Sequence, residues 1–145
     1  MSLQQQIIAT QQETMRQLST PLIPIANRVI LLPLVGNIDQ QRAQQVIETV
    51  LHGVDMHQAS IALIDITGVT TVDTQVAQTI VEAAQAVRLL GARVMLTGIQ
   101  PQIAQTLVHL GTDLQGIDTR ADLQSGIAWA LQQQNVKSKR LVFAV

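Results

Sequence analysis

Two carboxylates and a hydroxyl converge in residues 61–77, IALIDITGVTTVDTQVA, where Asp65 and Asp73 bracket Thr67 and Gly68 and Thr74 directly follows Asp73. Two chemistries suit that spacing. In one, Asp73 caps a helix, Asp65 hydrogen-bonds loop amides and Thr74 is an ordinary first-turn residue. In the other, Thr74 accepts a phosphoryl group, which adds about −1.5 to −2 charges at neutral pH. The free N–H groups and dipole of a helix N-terminus tolerate such a group, whereas the neighbouring carboxylates repel it. A protein docked on the unphosphorylated rim of Asp65, Thr67, Gly68, Asp73 and Gln75 would then lose complementarity without any change of fold. The pattern alone leaves cap and phosphoacceptor both open.

Thr106, within PQIAQTLVHLG, is the second hydroxyl of interest. Its spacing of three and four residues from Ile103 and Leu110 places it beside an apolar helical stripe. There a hydroxyl bonds the carbonyl one turn back, and on pattern alone that structural role is preferred.

Other chemistries find little support. His52, His57 and His109 lack a metal-ligand spacing, cysteine is absent, and no HExxH motif occurs, so no metal site is expected. The GxSxG, GxGxxG and GxxxxGK[ST] motifs are also missing, which weakens hydrolase, dinucleotide and P-loop readings, and no cofactor is implied. A phosphate-receiver domain would want paired acids on an early strand, but here that strand ends Pro33-Leu34-Val35-Gly36. A net charge of −1 with one Trp and one Phe argues against nucleic acid. No apolar stretch approaches the roughly 20 residues that span a bilayer, and the polar start lacks a signal-peptide pattern, so a cytoplasmic protein away from membranes is expected.

The elements that must position these hydroxyls follow from periodicity. Ile61, Leu63, Ile64 and Ile66 form a buried parallel strand running into a turn at Thr67-Gly68. Val76, Ala77, Ile80, Val81, Ala84 and Val87 then recur at helical spacing, starting a helix near Asp73 and Thr74 that stops at Gly91. Residues 93–97 make another strand, Pro101 opens a helix ended by Gly111, and Ile117 sits in a very short strand. Thr119 caps a last helix carrying Leu123, Ile127, Ala130 and Leu131, with Trp129 and Phe143 as packing residues.

Upstream, residues 21–25 and 29–35 suggest an antiparallel hairpin whose prolines favour an edge. Residues 36–39 turn the chain, Asp39 caps a helix with Ala43, Val46, Ile47, Val50 and Leu51 on its stripe, and Gly53 ends that helix. Residues 4–18 form a lead-in helix within 1–20, a single domain spans 21–134, and 135–145 are a tail solvated at 137–140. With 47% apolar residues the core is ample, and alternating strands and helices predict an α/β sandwich. Its sheet is mixed, mostly parallel, with four to five strands and about four helices.

Taken in order, VILLPLVGNID, IALIDITGVTTVDTQVA and RLLGARVMLTGIQPQIAQTLVHLG resemble the STAS family, and within it the RsbR-like stressosome co-antagonists. The resemblance covers residues 21–134. It implies a non-enzymatic binding module of partner-switching signalling, related to anti-sigma factor antagonists, with phosphoacceptors at Thr74 and Thr106. It thereby reverses the structural preference at Thr106. Implied partners are an RsbT-like serine/threonine switch kinase, an RsbS-like Ser-bearing STAS paralogue and a PP2C-type phosphatase. That branch also implies an N-terminal sensor domain, to which residues 4–18 would be the connector. Self-association is expected, since a charged fraction of 13% leaves few like-charge barriers. Rival readings are a weak nucleotide-binding protein using the Asp65 to Thr74 rim, and the cytoplasmic STAS appendage of an anion transporter.

Overall fold

The computed structural model describes residues 21–109 and 117–143. The lead-in helix expected over 4–18 and the helix stop at Gly111 lie outside them. Strands β1 (Ile23–Ala26) and β2 (Val29–Ile38) form the expected antiparallel hairpin, with Arg28 at φ 67° in its turn. Then follow α1 (Gln40–His57), β3 (Ile61–Val72), α2 (Thr74–Leu89), β4 (Arg93–Thr97), α3 (Pro101–His109), β5 (Ile117–Arg120) and α4 (Leu123–Phe143). The sheet runs in the order β1-β2-β3-β4-β5, parallel from β2 onward, with Pro24 on an edge strand. The expected α/β sandwich is therefore realised with five strands and, among the described residues, four helices.

The unbroken apolar runs are explained by a sheet covered on both faces. In β2, Ile30, Leu32 and Leu34 join one core with Ala43, Val46 and Val50 of α1, Val76, Ala77 and Ala84 of α2, and Ile103 and Leu107 of α3. Val29 and Leu31 join a second core with Leu63, Met95 and Ala130, against which Leu123, Ile127 and Trp129 of α4 pack. Each fully buried Leu, Ile or Val side chain stabilises the fold by roughly 1.5–3 kcal/mol. At the β5 edge, the guanidinium carbons of Arg93 and Arg120 each lie 5.4 Å from the Trp129 ring centroid. Arg93 also pairs with Asp118 at 2.7 Å.

Four local expectations are corrected. Gly53 does not end α1, because it sits inside the helix, buried, and an ideal Cβ there would lie 2.2 Å from Leu22 Cδ1. Its missing side chain makes room for Leu22, and the helix ends at Gln58, held at φ 48° and ψ 45°. Residues 36–38 continue β2 instead of turning, since Ile38 is buried and pairs with Val72, with Gly36 at φ 87°. Thr67 and Gly68 likewise lie inside β3, which is extended by the β-branched Val69, Thr70, Thr71 and Val72. Thr119 belongs to β5 beside Leu96, so α4 starts later and is capped by Asp122, whose Oδ1 accepts the Ser125 amide at 2.7 Å. The backbone of α4 runs on through 137–140.

The Asp122 cap carries a pH signature. The Ser125 amide, and then its hydroxyl, hold the carboxyl below its ordinary value of 3.8. A carboxyl with a depressed folded pKa stabilises the fold above its ordinary value, and that contribution is lost as pH falls through the lowered one. In an NMR titration the Ser125 amide should therefore shift with a midpoint below 3.8. Asp122→Asn, which still caps, should remove that titration.

Candidate functional site

Past the pair Asp65 and Thr97, β3 is hydrogen-bonded to β2 alone among the described strands. Over Pro33 to Val35 and again over Gly36 to Ile38, three steps of β3 match two of β2, so β3 carries an extra residue at each place. These bulges twist the ribbon and redirect its end. Asn37 fastens it by accepting the Thr70 and Thr71 hydroxyls at 2.6 and 2.8 Å. From α1, Arg42 Nη1 donates to the carbonyls of Val35 and Asn37.

The ribbon delivers the chain to Asp73, which is extended at φ −80° and ψ 172° and caps α2 by accepting the Val76 amide at 2.7 Å. The capping chemistry is thus present. Thr74 is the first residue of α2, exposed, and its hydroxyl makes no hydrogen bond among the described residues. Thr67, Gly68 and Gln75 are exposed with it, and Val35, 67% exposed, lies against Gly68.

Asp65 is the exception and a correction to the expected rim. It is buried, and its Oδ1 accepts hydroxyls from Thr67 at 2.9 Å and Thr97 at 2.7 Å, not loop amides. Thr97 is fully buried, so this bond satisfies a group with no access to water. Beside it, Gly98 adopts φ 74°, and an ideal Cβ there would fall 1.9 Å from Thr67 Oγ1. Gln100 Nε2 donates to the Thr67 carbonyl at 3.0 Å. Asp65 therefore acts beneath the rim, tying Thr67 of the β3 ribbon to Thr97 at the end of β4, while Gln100 ties the same ribbon to the loop that opens α3.

On α3, Thr106 is half-buried and its hydroxyl donates to the Gln102 carbonyl at 3.1 Å, as its stripe spacing predicts. The sequence reading missed Asn37, Thr70, Thr71, Val35, Thr97 and Gln100. A polar residue late in one apolar run, Asp65, and another closing the next, Thr97, was the available signal, but it becomes a contact only once the register is known. Among the described residues no cluster of three His, Asp or Glu groups could hold a metal, and no helix is long and apolar enough to cross a membrane.

Residues 20–125 match the family model for the STAS domain. The chain belongs to the STAS family. This STAS chain is 47% identical over 130 residues to the RsbT co-antagonist protein RsbRA of Bacillus subtilis, covering 90% of itself and 47% of the relative. To RsbRC of the same organism it is 40% identical over 129 residues, covering 89% and 46%. It thus spans a little under half the length of these relatives. Among solved structures, a serine-to-glutamate variant of RsbS from Moorella thermoacetica superposes with a TM-score of 0.68 at 28% identity, covering 80% of this chain and 97% of that one. A chain of the stressosome, described as a signal integration and transduction hub, gives 0.62 at 28% identity, covering 79% and 98%. The STAS sandwich expected from the sequence is the fold observed.

Proposed function

We propose that this STAS domain is a non-enzymatic, phosphorylatable module of a cytoplasmic partner-switching pathway that controls a sigma factor or similar output. Its partners in this reading are a serine/threonine switch kinase and a Ser-bearing STAS paralogue, with which it assembles alongside further copies of itself. A PP2C-type phosphatase resets it. The carrying observation is the Thr74 hydroxyl, exposed at the first turn of α2 and without a hydrogen bond among the described residues, in a chain 47% identical to a protein named as a co-antagonist of RsbT.

Thr74 serves as substrate and Asp73 as its cap, not as a general base. The kinase surface meets Thr67, Gly68, Asp73 and Gln75 around it, with Asp65 supporting them from below. A phosphate beside Asp73 adds further negative charge to that rim, so partner choice changes while the sheet stays put. Thr106 is the second acceptor. Its hydroxyl must first leave the Gln102 carbonyl, a bond worth about 1 kcal/mol, so it is modified more slowly.

The test is incubation of the full chain with the switch kinase and ATP, with phosphate mapped by mass spectrometry. Thr74 should label first and Thr106 later. Thr74→Ser should keep the early label and Thr74→Ala should lose it. Undiminished label on the Thr74→Ala, Thr106→Ala double variant would overturn the assignment.

A further inference from the structure

Gly53 is buried within α1, and the space its side chain would take is filled by Leu22, the residue just ahead of β1. The same missing Cβ would lie 3.3 Å from Ile30 Cδ1, so Leu22 is wedged between the α1 backbone and the sheet. Outside this seat an open groove of about 430 Å³ is lined by Leu22, Thr49, His52 and Met56 among others. That groove gives Leu22 room to move without breaking into the core.

From this seat α1 runs back thirteen residues to Gln40, about 20 Å of helix at 1.5 Å per residue. There Gln40 Nε2 donates to Thr79 Oγ1 at 3.3 Å, and Thr79 in turn donates to the Gln75 carbonyl at 3.0 Å, one residue from Thr74. Between these ends Ala43, Val46 and Val50 share one core with Val76, Ala77 and Ala84 of α2. Packed helices of this kind move by small sliding shifts.

We infer that the Leu22–Gly53 seat is a positioning device. How Leu22 fills it sets where α1 lies against α2, so displacement of the chain at Pro21 alters how the first turn of α2 presents Thr74. The inference rests on the reading of Thr74 as phosphoacceptor for its biological use, but its mechanics can be measured without the kinase.

Two full-length variants test it. Gly53→Ala expels Leu22, and Leu22→Ala empties the seat without touching α1. Each should raise hydrogen exchange at the Val76 and Ala77 amides by about 5-fold or more, the range of an energetic coupling between sites. Each should also change the Thr74 labelling rate. Ala130→Gly, on the opposite face of the sheet, is the comparison for general loss of stability and should leave both readouts near wild type once that loss is matched. If the seat variants exchange at Val76 and Ala77 no faster than Ala130→Gly does at equal stability, the device does not exist. If exchange rises but wild type takes no label at Thr74, the device stands and the phosphoacceptor reading falls.

Discussion

Gly98→Ala will lower the stability of this domain by about 4 kcal/mol, from strained left-handed backbone and overpacking together, more than most single substitutions. The backbone at Gly98 sits at φ 74°, and the added carbon would lie 2.9 Å from Thr67 Cα as well as 1.9 Å from its hydroxyl oxygen. A side-chain rotation could relieve the contact with the hydroxyl. The contact with Cα demands that β3 and the loop after β4 move apart. In a chain of this size that corresponds to a fall in melting temperature of roughly 8–16 °C, measurable by calorimetry. The damage should also spread to the rim, because Thr67 is held by Asp65 on one side and Gln100 on the other. Melting within 2 °C of wild type would show that the loop yields freely.

Asp65→Ala should cost about 2–3 kcal/mol, because it strands the Thr97 hydroxyl without an acceptor where water does not reach. Removing the stranded group as well should recover much of the loss, since taking away both buried partners is far cheaper than taking away one. The prediction is therefore a double-mutant cycle in urea. Asp65→Ala should be strongly destabilised, Thr97→Val mildly so, and the combination less so than Asp65→Ala alone. Additive losses would mean that the carboxylate stabilises the domain by some route other than this bond.

The elements that bury a complete stripe were legible in the sequence. Ile61 to Ile66 reads as a strand because both of its faces are covered, and Val76 to Val87 as a helix because a single face is. The extension of β3 was not legible, because Thr67, Gly68, Thr70 and Thr71 carry turn chemistry as readily as strand chemistry. Only pairing with β2 decides between them. Glycine was ambiguous for a related reason. Gly91, at φ 88°, ends α2 as expected, whereas Gly53 has the same flanking signals and serves packing against Leu22. Asp73 and Thr74 were placed correctly because cap and helix start are local in sequence. Asp65 was misjudged because its partner Thr97 is 32 residues away.

The two outer strands bear on how copies of the domain meet. β1 contains Pro24, which offers no N–H to an incoming strand, and β5 is only four residues long with Asp118 and Arg120 upon it. Such edges resist strand addition. A higher-order assembly of this domain should therefore grow through helix and loop surfaces, leaving the sheet a closed interior element of each subunit and guarding a highly apolar chain against fibrillar association.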